Sequence, residues 1–372
     1  MTLGVTPFTE RVELVATVAN VMGLAGGEQT ALSGTLNSAG AALSFEGIAS
    51  IKPEAAMQVT GTIPNAGALL RALGQEPSAL GLADTFDPNV SIDAQVSFDG
   101  TRLALRNMSL GLDDSKVSGD ADIVLALGAP QITAKLNADV KNAGQMMRML
   151  GQAPEKFGMN EAFDPNLASA ISLSMSGANI NAKLSDLTAS LEDTQISGDA
   201  DIALLDSIPD VSANLAVNLP NAARAAELLG QPLSTFGLSP KAAPALKSNV
   251  TASIKGSNIT AKLRELTASL ETAKISGDAD FALQNSVPNV STNLAINLPD
   301  AARTAALLGQ PLSTFGLSPK AAPALKSNVT ASINGSNITA KLRQLSASMA
   351  GANVTGSLDV ALAGGAPNVS GN

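Results

Sequence analysis

Histidine, cysteine, tryptophan and tyrosine are absent from all 372 residues. Without thiols there are no disulfides and no thiolate metal sites. Without imidazole there is no His-based nucleophilic triad and no His-ligated zinc or haem. Aromatic content is 2%, all of it nine Phe, so any apolar interior is built from Ala, Leu, Val, Ile and Met. Charged residues are sparse at 15%, with a net charge of −9. An acidic chain with almost no aromatics lacks the phosphate attraction and the stacking platforms of a nucleic-acid binder. Hydrophobic residues still make up 45%, a globular share, so wholesale disorder is not expected.

Met1 to Glu13 lacks the basic and continuous apolar regions of a signal peptide. The segment Val12 to Leu24 is interrupted by Glu13 and Asn20 and falls short of the roughly 20 apolar residues that span a bilayer. The run from Ala366 to Asn372 stops partway through a pattern that earlier copies complete, which is expected of a fragment of a longer protein.

What is present is a repeat. Asn218 to Leu270 recurs as Asn297 to Met349 with seven substitutions in 53 positions, at an offset of 79. A Ser-Gly-Asp tripeptide begins at Ser118, Ser197 and Ser276, and continues as Thr355-Gly356-Ser357. Leu73, Leu150, Leu229 and Leu308 each open a Leu-Gly-Gln triplet. These marks divide the chain into an atypical partial repeat over 1–62 and repeats over 63–140, 141–217, 218–296 and 297–372.

Within a repeat the apolar residues alternate with polar ones, the period of a half-buried strand. Val250, Ala252 and Ile254 form one such run, and Ile259, Ala261 and Leu263 another. Leu266, Ala268 and Leu270 follow, then Ile275, Gly277, Ala279, Phe281 and Leu283, then Val290, Leu294 and Ile296. Gly256-Ser-Asn258 and Ser286 to Asn289 separate runs as hairpin turns would. A short helix is expected from Pro220, with Pro at its first position and Gly230 at its end; Pro64, Pro299 and the Lys141 region open its counterparts. A second short turn is expected at Asp87-Pro88, Asp164-Pro165, Ser239-Pro240 and Ser318-Pro319. The fold class is therefore mainly β with short helices: an elongated array of antiparallel meanders, four to five strands per 79 residues, in a curled, groove-like sheet.

The ordered set Leu-Thr-Ala-Ser-Leu (266–270), Ile-Ser-Gly-Asp-Ala-Asp (275–280) and Pro-Asn-Val (288–290), with the Leu-Leu-Gly helix and the Asp-Pro or Ser-Pro turn, resembles the AsmA family of Gram-negative bacteria. That family is similar to the wider class of bridge-like, repeating β-groove lipid-transfer proteins. The resemblance implies a non-enzymatic periplasmic protein of outer-membrane biogenesis, anchored to the inner membrane by an N-terminal segment this chain lacks. It implies phospholipid as cargo, carried on the apolar face between inner and outer membranes. The residues themselves are compatible with this: four units of four strands at about 4.8 Å make a sheet about 75–80 Å long, more than one ten-residue helix per unit could cover. Small aliphatic side chains leave room for a guest chain, and burying each methylene gains about 0.8 kcal/mol. The alternative is a structural, adhesin-like scaffold of closed β domains with a dry core. Oligomeric state is left open.

The remaining candidates carry less. The pairs Asp120/Asp122, Asp199/Asp201 and Asp278/Asp280 share a strand face, but catalysis needs one pair around one pocket, and calcium wants six to eight oxygens. They read as a solvated face, with weak cation binding as the lesser reading. Lys241, Lys247, Lys255, Lys262 and Arg264 suit a wet sheet face or, less readily, a rim that meets anionic headgroups. Asn249, Asn258, Asn328 and Asn337 open glycosylation-type triplets by composition alone. Met146, Met147 and Met149 are expected in core packing. No catalytic residue, metal site or cofactor is expected.

Overall fold

The computed structural model describes every residue except 1, 6–11, 53, 126–128, 207, 233, 235–238, 240–242, 286, 310–322, 350 and 364–365. The chain forms two compact units. The first comprises Met1–Phe157, Asp164–Leu187 and Ala203–Ser207, and the second Gly158–Phe163, Thr188–Ile202 and Ile208–Asn372.

The first unit holds β1 (Thr2–Val5), β2 (Val12–Val18), β3 (Thr30–Ser38), β4 (Ala41–Ala49), β5 (Ala55–Ile63), β6 (Val90–Phe98), β7 (Arg102–Leu112), β8 (Ser115–Val124), β9 (Gln131–Val140) and β10 (Asn166–Ser176). Each pairs antiparallel with the next. Helices α1 (Val21–Ala25), α2 (Ala66–Ala72) and α3 (Ala143–Met149) interrupt the meander. Strands β11 (Asn179–Leu191) and β12 (Thr194–Leu205) have residues in both units. The second unit continues with β13 (Ile208–Leu219), α4 (Ala222–Leu228), β14 (Ala245–Lys255), β15 (Asn258–Leu270), β16 (Ala273–Gln284) and β17 (Val287–Leu298). It ends with α5 (Ala301–Leu307), β18 (Ala324–Asn334), β19 (Asn337–Met349), β20 (Ala352–Ala363) and β21 (Ala366–Gly371). Its strands β13 to β21 again pair antiparallel in chain order. The protein is mainly β, an open antiparallel meander with short helices.

One repeat is four strands and one helix. The turn between β14 and β15 is Gly256–Ser257, as expected, but that between β16 and β17 is tighter than expected. Strand β17 already begins at Val287, with Asn285 at φ 50 making the bend.

The runs ending at Leu263 and beginning at Leu266 are one strand, not two. Strand β15 advances three residues from Leu263 to Leu266 while β16 moves two, from Ala279 to Gly277. The extra residue is a β-bulge at Arg264–Glu265, with Glu265 at φ 53. A bulge inserts one residue without reversing the faces, so Leu263 and Leu266 both stay on the apolar side. The same left-handed residue recurs at Asn107, Asp186 and Gln344, which together with Glu265 form a series spaced by 79 residues. The residue facing the bulge is small and buried, with Ala94 1%, Ser248 2% and Ser327 4% exposed. Ser248 Oγ donates to the Arg264 carbonyl, which the bulge turns toward it, at 3.1 Å.

The glycine of Ser-Gly-Asp is explained by the same device. Gly119, Gly277 and Gly356 lie opposite the residue that follows each bulge. At Gly277, φ is 142, and a Cβ would come within 2.0 Å of the Asn293 carbonyl oxygen on β17. No side chain fits between strands that close.

The helices start one step later than the proline suggests. Asn221 is the N-cap of α4, its side chain accepting from Arg224 N at 3.0 Å, and Pro220 precedes the cap. Asn65 and Asp300 cap α2 and α5 in the same way. A side-chain acceptor on a free helical N–H contributes about 1 kcal/mol, which proline cannot supply. Gly230, at φ 69, follows the last turn as expected.

The turns expected at Asp87-Pro88 and Asp164-Pro165 are extended entries to β6 and β10 instead. The carbonyls of Pro88 and Pro165 accept the first helical N–H of Ala66 and Ala143 at 3.0 and 2.8 Å, and those of Pro244 and Pro323 serve α4 and α5. The short 3-10 turns lie earlier, at Pro77–Leu80 and Pro154–Phe157. Pro240, Ser318 and Pro319 lie outside the described residues.

Candidate apolar face

All fifteen candidate residues lie in the second unit, and strand register places them on one face. Ile254 faces Ile259, which faces Leu283. Ala252, Ala261, Phe281 and Val290 form the adjacent row, and Val250, Leu263 and Ala279 the next. Beyond the bulge, Leu266 and Leu294 flank Gly277, and Ile275 faces Ile296. Leu270 ends the strand opposite Ala273 and is buried at 9% exposure.

The face continues past these residues on both sides. Val211, Ala213 and Leu215 extend it on β13, and Val329, Ala331 and Ile333 on β18. Ile338, Ala340 and Leu342 carry it across β19 to Leu358, Val360 and Leu362 on β20. The 79-residue repeat already implied those positions, because each copies one in the preceding repeat. Among the described residues, hydroxyls enter only at Ser248, Thr292 and Ser327, and no charged side chain stands on this face from β13 through β20. Ile254 and Ile259 are each 36% exposed and Phe281 37%, so none of the described residues covers this part of the face.

The rows do not run square to the strands. The row through Ala213, Ala252, Ala261 and Phe281 reaches Val290, whereas the repeat counterpart of Ala213 is Thr292. Each repeat is thus staggered by two residues, about 7 Å along the strand for about 19 Å across four strands. A path that visits equivalent positions in successive repeats crosses the sheet obliquely.

The reverse face is polar, and two of its acidic pairs, Asp120/Asp122 and Asp278/Asp280, are engaged with the bulges. The first Asp holds the left-handed residue: Asp120 Oδ1 accepts from Asn107 N at 2.9 Å, and Asp278 Oδ1 from Glu265 N at 3.1 Å. The second pairs with the bulge arginine: Asp122 with Arg106 at 2.7 Å, and Asp280 with Arg264 at 2.6 Å. Arg343 and Asp359 pair likewise. Hydrogen bonds from Arg106 and then Arg102 hold the Asp122 carboxyl below its ordinary range, and Arg343 does the same to Asp359. These carboxylates clamp backbone. Among the described residues no group of three or more acidic side chains is placed to hold a metal ion.

Lys247, Lys255 and Lys262 point to the reverse face, with Lys255 opposite Asp210 and Lys262 opposite Asp280; Lys241 lies outside the described residues. The Asn249 and Asn328 side chains donate to Glu265 and Gln344 at 2.9 Å, again bracing the bulge. Asn258 accepts from Asn285 N at 3.4 Å, and Asn337 is paired with Asn334 across the β18–β19 turn. Met146, Met147 and Met149 are half-buried rather than in a core. No signal in the sequence marked the bulge clamp, because its members lie 13 and 16 residues apart and meet only through the hairpin.

No described helix is long and apolar enough to cross a membrane. Comparison with protein-family models, with curated proteins and with solved structures gave no match.

Proposed function

We propose that the uncharged face of β13 to β20 holds or conducts the acyl chains of phospholipid, without catalysis. The observation that carries this reading is the face itself: several strands of aliphatic side chains in continuous register, with Ile254, Ile259 and Phe281 more than a third exposed. Water leaves such a surface favourably, and about 0.8 kcal/mol per buried methylene lets a single acyl chain be held with no directional contact. The small residues Ala252, Ala261 and Ala279 give a guest room to lie close to the backbone. The resemblance of the repeat to the AsmA family points the same way, to a periplasmic setting and transfer between inner and outer membranes.

The rival reading, closed β domains with a dry core, needs a covering layer over these side chains, and their exposure weighs against it. Lipid extraction and mass spectrometry of the purified chain test the proposal. Phospholipid should co-purify, and delipidated protein should take up acyl chains. A chain that carries none and takes up none would refute it.

A further inference from the structure

The hairpin tips and cap helices carry a repeated ion pair with one vacancy. In the second unit Arg224 of α4 reaches back to Glu192 at 2.8 Å, and Arg303 of α5 to Glu271 at 2.8 Å. These pairs stand 79 residues apart, and their counterparts one repeat earlier are Gln145 on α3 and Asp113 at the β7–β8 tip. The carboxylate is retained there and the guanidinium is not. The same place holds an opening of about 520 Å³, lined by Asp113, Asp114 and Gln145 with Leu112, Met146 and Met149, and by Lys141, whose Nζ is already paired with Asp139 at 2.7 Å. Asp113 is fixed in position, since its Oδ1 accepts from Asn89 N at 2.9 Å while its own N–H donates to the Asn89 carbonyl at 2.8 Å. Ser115 Oγ, also at the opening, is engaged with the backbone of Lys141 and offers no competing group.

We propose that this opening receives an arginine side chain presented by a partner polypeptide. The guanidinium would pair with Asp113 and Asp114, and its alkyl stem would lie along Leu112, Met146 and Met149. Charge complementarity supports this, and so does the chain itself: at two equivalent places it fills the position with its own arginine. A planar, bidentate donor is what these carboxylates meet there. The inference is independent of the acyl-chain reading, because the opening is built from helix and hairpin tip in the first unit.

The test uses the full chain and a short blocked peptide with a central arginine flanked by leucines, followed by amide chemical shifts. The arginine peptide should shift the Asn89 and Gln145 amides saturably, its citrulline analogue should not, and Asp113→Asn should abolish the effect. Gln145→Arg, which fills the opening from within, should block the peptide and raise the melting temperature. Equal shifts with the citrulline peptide, no shift at all, or shifts produced instead by phosphatidylethanolamine vesicles would overturn the proposal. Persistence of peptide binding in a folded Gln145→Arg variant would overturn it as well.

Discussion

Replacing Gly277 by alanine tests whether the bulge and its facing glycine set the geometry of the apolar face. Two costs add at this position. The backbone sits at φ 142, where an L side chain is strained by about 1–3 kcal/mol. The new Cβ would also lie 2.0 Å from the Asn293 carbonyl oxygen, so β16 and β17 must separate, at a further cost of about 1–3 kcal/mol. The sum is about 2–6 kcal/mol, concentrated on one strand pair. Gly256 supplies the control. It is also left-handed, at φ 58, but its nearest neighbour is 3.7 Å away, so Gly256→Ala should cost only about 1–2 kcal/mol. Hydrogen exchange read by mass spectrometry suits a repeat chain whose parts need not unfold together. Peptides from β16 and β17 should lose protection in Gly277→Ala and largely keep it in Gly256→Ala. If both substitutions deprotect their strands equally, the close approach at Gly277 is not what the bulge requires.

The Asp122 carboxyl should titrate below the ordinary aspartate value in an NMR-detected titration, and Arg106→Ala should move its midpoint back up. Because the folded value is depressed, the clamp contributes above the ordinary carboxylate range and is lost as pH falls through the folded value, below about pH 4. An unshifted midpoint would refute the ion pair. Leu228→Ala removes a side chain only 1% exposed, and should lower the stability of the second unit by about 2–4 kcal/mol in local exchange. Full protection of the α4 amides in that variant would show that the helix does not depend on this contact.

The strands were legible because the period of two survives in every run, as at Ile275, Gly277, Ala279, Phe281 and Leu283. The face was legible for the same reason, since alternation alone assigns each side chain to one side. The bulge was not. Arg264 and Glu265 break the alternation, and a one-residue insertion in a long strand looks the same in sequence as a short turn between two strands. The acidic pairs looked idle because their partners, 13 and 16 residues away, are brought near only by the hairpin. Pro220 pointed to a helix start, but the next residue supplies the capping oxygen, and that chemistry outranks a favourable φ. Pro88, after Asp87, looked like the start of a second short turn. Its carbonyl is used instead to close the previous helix onto the sheet.

The central claim is that the exposed aliphatic face binds acyl chains. The most direct measurement is the phospholipid retained per chain by native mass spectrometry, for the unaltered protein and for Ala261→Glu. That substitution puts a charge amid Ala252, Phe281 and Leu263 without removing a buried contact. The account predicts bound phospholipid in the unaltered chain and a marked loss in a variant whose circular dichroism is unchanged. Equal lipid on both, or none on either, would contradict it.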